Sequence, residues 1–390
     1  MDWSYVPFEE SIQKVIYTTK IPKKKFLVDG KYPIVSQEAG FINGYWDNEE
    51  DIFEVTSPVV IFGDHTKVIK HVDFDFVLGA DGVKILKPIN ELDSKFFAYF
   101  LEAEPITDLG YARHYRLLKN VSVPLPPIPE QKRIVAILDQ AFADIEQARV
   151  KTEQNLKNAR ELFESYLQQV FSQRGEGWVE YSLGEVCNFK HGFAFKSEFF
   201  TQDKGYELLT PGNFFEEGGY RDRGAKQKLY DGPFPNEFLM SKGDLLVAMT
   251  EQAVGLLGSP ALVPKDNTFL HNQRLGLVEL KDEFKDNVSM EFLFHFFNTK
   301  YFRAKVQETA TGLKVRHTSP KKMHVIPVWL PNNLDEQSSI AQELFNLKEE
   351  SLKLEEIYKK KSLQLDELKK SILQKAFTGE LTKHEEGAAA

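Results

Sequence analysis

Three stretches of the sequence combine basic, amide and hydroxyl side chains. Residues 309–318 form a glycine-bearing segment, Thr250 to Gln252 follow one apolar run, and 272–274 read Asn-Gln-Arg. In glycine-bearing loops backbone N–H groups can approach phosphates, while Lys and Arg neutralise phosphate charge and Asn, Gln and Arg can pair with base edges. These stretches therefore predict nucleic-acid binding, with an ordinary polar loop as the alternative for any single residue.

A related pattern occurs in the first half of the chain. Arg113-His114 aligns with Arg316-His317 at an offset of 203 residues, and the same offset aligns Lys119 with Lys322. This recurrence favours a functional role over chance. The candidate DNA-binding residues are Lys23, Lys24, Lys25, Arg113, His114, Arg116, Lys119, Thr250, Gln252, Asn272, Gln273, Arg274, Thr311, Lys314, Arg316, His317 and Lys322.

The common catalytic motifs are missing from the sequence. It contains no phosphate-binding Gly-x-x-x-x-Gly-Lys loop, no Gly-x-Ser-x-Gly elbow, no His-Glu-x-x-His and no Cys-x-x-Cys. Glu283-Phe284-Lys285 resembles the Glu-x-Lys half of a nuclease metal site. Together with Asp266 it makes a stand-alone metal-dependent nuclease the alternative function. The charged surroundings, 281–286, favour a solvated turn instead. We predict no catalytic residue, no metal and no cofactor bound by this chain.

Almost the same stretch of 42 residues occurs twice. Residues 130–171 align without a gap with residues 336–377, at an offset of 206, and ten positions are identical. The globular parts repeat as well, since Trp178 to Leu183 has the spacing of Trp3 to Phe8. A repeat of this kind indicates duplicated architecture. The chain is therefore predicted to consist of two related halves.

Each copy of the repeat carries one hydrophobic seam. A heptad register starting at Ile134 or Ile340 makes eight of eleven a and d positions apolar in both copies. This predicts two long helices, roughly 60 Å each, that pack along one another, with polar Asn155 and Lys361 fixing the register. Two unrelated surface helices are the alternative. The predicted helix-packing residues are Ile134, Leu138, Ile145, Leu162, Ile340, Leu344, Leu347, Leu354, Leu365, Leu368 and Ile372.

Composition limits the remaining choices. The chain has 390 residues and a net charge of −9, so DNA contacts must come from local basic clusters on an acidic body. An acidic chain also suits a subunit of a larger, complementary assembly. The single cysteine, Cys187, excludes an intrachain disulfide and makes a reducing cytoplasm the expected location.

The sequence predicts an α+β fold with an internal pseudo-twofold repeat. Two mixed α/β globular domains are expected at 1–128 and 176–331, where short alternating strands are bounded by Gly, Asp and Asn turns. The long helices are expected at 129–175 and 332–383, packed antiparallel as a coiled coil, with a tail at 384–390.

Several motifs together resemble one family. They are residues 124–135 (PLPPIPEQKRIV), 243–250 (GDLLVAMT), 272–274 (NQR), 311–320 (TGLKVRHTSP) and 371–381 (SILQKAFTGEL). On these motifs the chain resembles the specificity subunit of type I restriction-modification enzymes over essentially its whole length. The first half departs from the family's helix ending at 167–174, and the second half lacks the proline run at 331–335.

This resemblance implies a non-catalytic subunit with two target-recognition domains held apart by two conserved helices. Each domain would read one half of a split double-stranded DNA site, and the helices would set the spacing. Two modification subunits would dock on the helices and methylate adenine with S-adenosylmethionine. Two restriction subunits that use ATP and Mg²⁺ can join such a complex. The residues themselves leave the nuclease and a protein-only coiled-coil scaffold as alternatives.

Overall fold

The computed structural model describes residues 3–80, 82–110, 112–252 and 254–381, and the chain divides into two units. The first unit takes in residues 1–154 and 358–390, and the second takes in residues 155–357. The tail predicted at 384–390 lies outside the described residues. Both boundaries fall inside long helices, so each unit contains one globular segment, the first part of one long helix and the last part of the other.

The globular segment of the first unit is rich in short strands and is followed by a long helix. Its elements are β1 (Ser4–Pro7), β2 (Ile12–Gln13), β3 (Lys20–Ile21), β4 (Tyr32–Val35), β5 (Gly44–Trp46), β6 (Ile52–Phe53), β7 (Val59–Gly63), β8 (Ile69–Val72), β9 (Phe76–Gly79), β10 (Val83–Pro88), α1 (Ser94–Ala103), α2 (Tyr115–Leu118), β11 (Ser122–Leu125) and α3 (Ile128–Gln173).

The remaining elements follow the same plan, with a second long helix at the end. They are β12 (Trp178–Ser182), α4 (Leu183–Val186), β13 (Cys187–His191), β14 (Phe200–Thr201), β15 (Tyr206–Leu209), β16 (Leu229–Tyr230), β17 (Leu245–Ala248), β18 (Thr250–Glu251), β19 (Pro260–Leu262), β20 (Phe269–His271), β21 (Leu275–Leu280), α5 (Met290–Asn298), α6 (Lys300–Glu308), β22 (Arg316–His317), α7 (Pro320–His324), β23 (Pro327–Pro331) and α8 (Leu334–Phe377). No helix of the described residues has the length and apolar character needed to cross a membrane.

The two globular segments have matching sheet topology. The first contains a sheet of order β2-β10-β7-β8 and the pair β1-β11, and the second contains a sheet of order β13-β21-β17-β19 and the pair β12-β23. A parallel pair lies in a further sheet of each segment, β4 with β9 and β15 with β20. The central strands β7 and β17 are buried throughout, which explains their continuous apolar sequences. The predicted duplicated α+β fold is confirmed.

Gln131, near the start of α3, ties that helix to the globular segment of the first unit. Its side chain is fully buried and makes three hydrogen bonds to backbone groups. Its carbonyl accepts from the N–H of Asp93 at 2.7 Å, and its NH₂ group donates to the carbonyls of Glu91 at 2.8 Å and Pro126 at 2.7 Å. Because Asp93 is the N-cap of α1, this one side chain joins the start of α3 to the start of α1.

Gln337 repeats this arrangement near the start of α8 in the second unit. It is also fully buried, and its carbonyl accepts from the N–H of Ser289, the N-cap of α5, at 3.0 Å. Its NH₂ group donates to the carbonyls of Asn287 at 2.9 Å and Pro331 at 2.8 Å. The Glu-Gln pair of the sequence repeat therefore marks a clamp that both units use.

The long helices pack antiparallel within each unit. In the first unit Arg149 of α3 pairs with Asp366 of α8. In the second unit the Ser351 hydroxyl of α8 donates to the carbonyl of Ala159 in α3, and the Tyr166 hydroxyl donates to Glu343 at 2.7 Å. Higher numbers on α3 meet lower numbers on α8, as the antiparallel prediction requires.

The heptad register predicted for the helices holds only in part. Ile134, Leu138, Ile145, Leu344 and Leu365 are buried, and Ile340, Leu347, Leu354 and Ile372 are half-buried. The packing role predicted for Leu162 and Leu368 is wrong, because these side chains are 46% and 47% exposed.

A change of step along the helices explains the exposed leucines. From Ala159 onward the positions that face inward are four residues apart, at Phe163, Leu167 and Phe171, which turns Leu162 outward. Phe171 packs instead on the Phe-rich helix α5, with its ring centroid 5.0 Å from that of Phe292. The end of α3 thus packs on the globular segment as well as on the partner helix.

The predicted register residues Asn155 and Lys361 are also wrong, since both are exposed. A polar side chain that does cross between the helices is Ser351, which is 4% exposed and donates its hydroxyl hydrogen to the Ala159 carbonyl. Burial makes this bond specific, because sliding the helices would leave the hydroxyl without a partner.

Replacing Gln131 with alanine should destabilise the first unit by about 3 kcal/mol. The substitution leaves three backbone groups without their partner, and each such loss in a buried site costs about 1–3 kcal/mol before water compensates. Urea denaturation measures the change. Gln140→Ala on the exposed face of the same helix is the matched control and should cost well under 1 kcal/mol. Equal losses in the two variants would contradict the clamp.

Two buried histidines should make the second unit sensitive to acid. Burial lowers the pKa of His295 to about 3 and that of His271 to about 4, from an ordinary value of 6.5. As the pH falls below about 6.5 the unfolded chain binds protons that the folded unit does not, so stability is present above that pH and is lost below it.

His295→Phe should reduce this acid sensitivity, since His295 lies 4.4 Å from Phe345 between ring centroids in an apolar site. Between pH 7.5 and pH 5.0 the variant should lose about 2 kcal/mol less than the wild type, because pH 5.0 lies about 1.5 units below the pKa of the unfolded histidine while the folded one stays unprotonated. Urea midpoints at both pH values test this. The exposed His191→Gln is the control, and it should keep the wild-type pH dependence.

Candidate nucleic-acid interface

A loop with the same anchor follows the parallel strand in each globular segment. After β4, the Ser36 hydroxyl donates to the side-chain carbonyl of Asn43 at 2.8 Å. After β15, the Thr210 hydroxyl donates to that of Asn213 at 3.1 Å. The first loop has six residues between its anchors and the second has two. One scaffold therefore presents loops of different length in the two units.

Lys70 holds the longer loop of the first unit from inside. Its ammonium group donates to the carbonyls of Ser36 at 2.8 Å and Gly40, and to the Asn43 side chain at 3.1 Å. Burial lowers the pKa of Lys70 to about 8. The loop keeps Phe41 48% exposed at its surface, so a buried cation fixes a loop whose apolar side chain faces water.

The second unit contains a cleft of about 600 Å³ lined by cationic and amide side chains. Arg274, Gln252 and Thr250, which are candidate DNA-binding residues from the sequence, all line it. Three further cations lie on the same walls: Arg221, Arg223 and Lys228. The same cleft is also lined by Glu216, Glu217 and Glu251, and Glu251 is paired with Arg316, so four cations face three carboxylates. In a chain of net charge −9 this is a weakly positive site that can hold phosphate.

Glu251 organises one wall of this cleft. Its side chain is 1% exposed, and one carboxylate oxygen accepts from the N–H groups of Gly255 at 3.1 Å, Leu256 at 3.0 Å and Leu257 at 2.8 Å. The other oxygen pairs with a guanidinium nitrogen of Arg316 at 3.2 Å. Since an ion pair with one buried member is costly to break, Glu251 fixes both residues 255–257 and Arg316.

The comparison with known proteins agrees with this geometry. A family model for the type I restriction modification DNA specificity domain matches residues 2–155 and 175–365. The chain belongs to this family. The two matched ranges begin in the two globular segments, so both halves of the duplication are specificity domains.

Individual relatives are distant. The MjaVIII type I restriction enzyme specificity subunit of Methanocaldococcus jannaschii is 24% identical over 279 residues, covering 68% of this chain and 63% of the relative. The chain thus spans less than two thirds of that relative's length.

Two solved structures share the fold. A chain from a structure on complex assembly and conformational transition of the type I R-M system has a TM-score of 0.68 at 17% identity, covering 97% of this chain and 98% of that chain. The HsdS subunit from Thermoanaerobacter tengcongensis has a TM-score of 0.63 at 18% identity, with 97% of both chains covered.

Arg316 has a different place in this specificity domain from the one its sequence suggested. Besides its pairing with Glu251, its guanidinium group donates to the carbonyl of Gln307 at 3.0 Å. These contacts make Arg316 an anchor of the 309–318 loop, and a direct contact between Arg316 and DNA is not supported. Lys322 anchors the same loop by donating to the Thr309 carbonyl at 2.7 Å and the Thr311 hydroxyl at 3.2 Å.

The DNA contact predicted for His114 is wrong. The side chain is fully buried, and its Nδ1 lies 3.0 Å from the Asp64 carbonyl oxygen while its Nε2 accepts from the N–H of Leu109 at 3.0 Å. Both ring nitrogens are therefore occupied within the fold.

The match between the two Arg-His pairs is also shifted by one residue in the structure. The N–H of His114 donates to the Asp64 carbonyl, directly after β7, at 2.7 Å. The equivalent bond after β17 runs from Thr318 to Met249 at 3.0 Å, so His114 corresponds to Thr318 and not to His317. The identity at an offset of 203 is therefore fortuitous at this point.

The other candidate residues lie mostly at the surface. Lys23, Lys24 and Lys25 form an exposed 3-10 turn after β3. Arg113 is exposed just before α2, Arg116 is exposed within α2, and Lys119 pairs with Glu9 at 2.7 Å. In the second unit Lys314, His317 and Gln273 are exposed, and the Asn272 side chain accepts from the N–H of Arg274 at 3.1 Å. These positions keep their DNA-binding role as a prediction.

The residues considered for a nuclease do not form a site. Glu283 lies in a short exposed turn, and its neighbour Asp282 pairs with Lys285 at 2.6 Å. A carboxylate oxygen of Asp266 accepts from the N–H of Lys242 at 2.8 Å. Among the described residues there is no group of three or more His, Cys, Asp or Glu that could hold a metal ion. Family membership does not support the nuclease alternative.

Sequence reasoning missed Arg221, Arg223 and Lys228, which the fold brings to the cleft. The signal was available, because residues 221–228 hold four basic side chains around Gly224. Gly212 gives room to one of them, since a side chain there would meet the Arg223 guanidinium at 3.0 Å.

Replacing Glu251 with alanine should loosen the loop at residues 255–257. The amides of Gly255, Leu256 and Leu257 lose their common acceptor, and we expect their hydrogen exchange to accelerate at least tenfold, since a lost bond to a charged acceptor costs about 1.5–3 kcal/mol. Exchange detected by mass spectrometry measures this. Glu279→Ala removes an exposed carboxylate of the same unit and should leave the loop unchanged. Unchanged hydrogen exchange of these amides in Glu251→Ala would show that Glu251 does not hold this wall of the cleft.

Proposed function

We propose that this chain is the non-catalytic DNA specificity subunit of a type I restriction-modification complex. Each unit reads one half of a split, asymmetric double-stranded DNA site. The observation that carries this proposal is one scaffold used twice with different loops and surfaces. Two identical readers would favour a symmetric site, whereas unlike loops at equivalent positions read different bases.

In the second unit the cleft supplies both kinds of contact that DNA reading needs. Arg221, Arg223 and Lys228 neutralise phosphates and fix the position of the duplex. Gln252 and Arg274 carry donor groups that match base edges in the major groove. In the first unit the exposed lysines 23–25 and the loop held by Lys70 take the corresponding roles.

Sequencing the methylome of cells with and without this chain tests the proposal. A methylated two-part motif should be present only when the chain is present. Persistence of the motif without the chain would overturn the proposal, and the motif itself supplies the duplexes for the experiments below.

Arg274→Ala should weaken binding at one half-site only. Loss of a base-edge contact costs about 1–3 kcal/mol, so we expect an affinity reduction of about tenfold on the full site. On a duplex in which the half-site read by the second unit is scrambled, the variant and the wild type should bind with equal affinity. Lys24→Ala in the first unit is the matched variant, sensitive to the other half-site. Equal sensitivity of one variant to both half-sites contradicts separate reading.

The exposed part of the helix repeat indicates where partner subunits dock. Several identical pairs of the repeat are buried and serve folding, such as Gln131 with Gln337 and Leu138 with Leu344. Three identical pairs are exposed: Glu161 with Glu367, Leu162 with Leu368, and Ser165 with Ser371. An exposed leucine contributes little to folding, so folding does not explain why leucine occupies the same exposed position in both copies.

A patch that occurs twice suits two copies of one partner. Leu162 and Ser165 are three residues apart and share a helix face, as do their counterparts Leu368 and Ser371. Exposed apolar groups at equivalent positions mark contact sites. We assign them to two modification subunits, which would bind S-adenosylmethionine, while restriction subunits with ATP and Mg²⁺ can join. Both long helices run through the boundary between the units, so their length is the property we expect to set the spacer.

Leu162→Lys and Leu368→Lys should each remove one modification subunit from the complex. Burying a lysine at a docked apolar site leaves an unpaired charge, which costs several kcal/mol. Native mass spectrometry of the co-purified complex should show one bound copy for each single variant and none for the double variant. Val150→Lys is the control, because Val150 is 57% exposed on the same helix but has Glu356 as its repeat counterpart. Two bound copies in the double variant would place docking elsewhere.

A further inference from the structure

Two loops leave the same end of a small ladder beside the cleft of the second unit. Strands β18 and β22 pair antiparallel, with Thr250 opposite His317 and Glu251 opposite Arg316. The chain continues from Glu251 toward the loop that includes residues 254–257 and runs back from Arg316 into residues 311–315. The two loops therefore emerge next to each other.

The loop at 311–317 is held rigidly. Thr311 and His317 exchange two backbone hydrogen bonds, of 3.0 and 2.8 Å. Gly312 has a φ of +105°, and a side chain there would meet the Val315 carbonyl at 2.1 Å, so the turn requires glycine. Arg316 and Lys322 anchor its base through Glu251 and through Thr309 and Thr311.

The two loops present apolar side chains to water. Leu313 is fully exposed, Val254 is 73% exposed and Val315 is 42% exposed. We call Val254, Leu313 and Val315 the aliphatic tip. Of these three, Val315 lines the cleft together with Arg274, and Leu313 lies two residues earlier in the same loop, so this loop borders the surface that would face DNA. Because Leu313 buries nothing within the fold, its apolar character is not explained by folding.

Duplex DNA offers few apolar groups to such a surface. In the major groove the C5-methyl group of thymine is the apolar group on a base edge, and aliphatic side chains that contact it discriminate thymine from the other bases. The neighbouring Lys314 is exposed and can reach a phosphate on the same strand. A rigid loop with one projecting leucine beside such a cation is suited to this contact.

We propose that Leu313 contacts the methyl group of a thymine in the half-site read by the second unit and so helps to determine specificity. This inference rests on the proposed function, because it requires that the second unit read DNA. It adds that the half-site contains a thymine that is recognised through its methyl group.

Deoxyuridine substitution tests the contact directly, because it removes only the methyl group. Each thymine of the half-site that is sensitive to Arg274→Ala is replaced in turn, and binding is measured with the complex of this chain and its modification subunits. One replacement should weaken wild-type binding about fourfold, as expected for burial of one methyl group. The same replacement should have no effect on the Leu313→Ala variant, which itself should bind the thymine site about fourfold more weakly or worse.

Val28→Ala is the matched control, since Val28 is 98% exposed in the first unit. It should keep the full deoxyuridine effect in this half-site. The inference is overturned if the half-site contains no thymine, if no replacement weakens binding, or if the effect persists in Leu313→Ala. In all three cases the complex still binds its site. Absence of sequence-specific binding by the wild-type complex would instead overturn the proposed function, and this inference with it.

Discussion

A buried glutamine at the start of each long helix is the interaction on which the rest of the structure depends. Gln131 and Gln337 each satisfy three backbone groups that come from three segments: the turn before a Phe-rich helix, the N-cap of that helix and the last strand of the globular segment. Because these groups are buried, leaving them unpaired is costly, and the clamp fixes how each long helix starts. A recognition surface can only be positioned if this junction is rigid.

The duplicated scaffold lets the two surfaces diverge while the frame stays the same. Equivalent hydroxyl-to-asparagine anchors hold a six-residue segment in one unit and a two-residue segment in the other. Cations support loops in both: the buried Lys70 in the first unit, and in the second the half-buried Arg303, which donates to the carbonyls of Leu257 at 3.2 Å and Glu216 at 2.9 Å. Burial lowers the pKa of Arg303 to about 10. Charges that look available for DNA in the sequence are thus partly used to build the loops.

The same division applies to the long helices. Their buried identical positions maintain the fold, whereas Leu162 and Leu368 are repeated without being needed for packing inside the chain. Comparing the two copies of the repeat therefore distinguishes positions kept for internal packing from positions kept for an outward surface. The step of four residues after Ala159 is the physical cause for Leu162, because it rotates this heptad leucine away from the core. On the other long helix the inward positions Leu365, Lys369 and Leu373 are also four residues apart, which turns Leu368 outward.

The sequence by itself determined the duplication, the α+β class, the two long helices and the family, since periodicity and turn residues act locally and a gapless repeat needs no coordinates. It also named Thr250, Gln252 and Arg274, which line the cleft and keep their DNA-binding role as a prediction. Only the tertiary structure decided which polar side chains face solvent. Arg316 and His114 have ordinary local sequences, but Glu251 and the Asp64 carbonyl, 65 and 50 residues away, engage them inside the fold. Long-range partners of this kind leave no periodic signal, so neither these anchors nor the cationic cleft could be read from spacing alone.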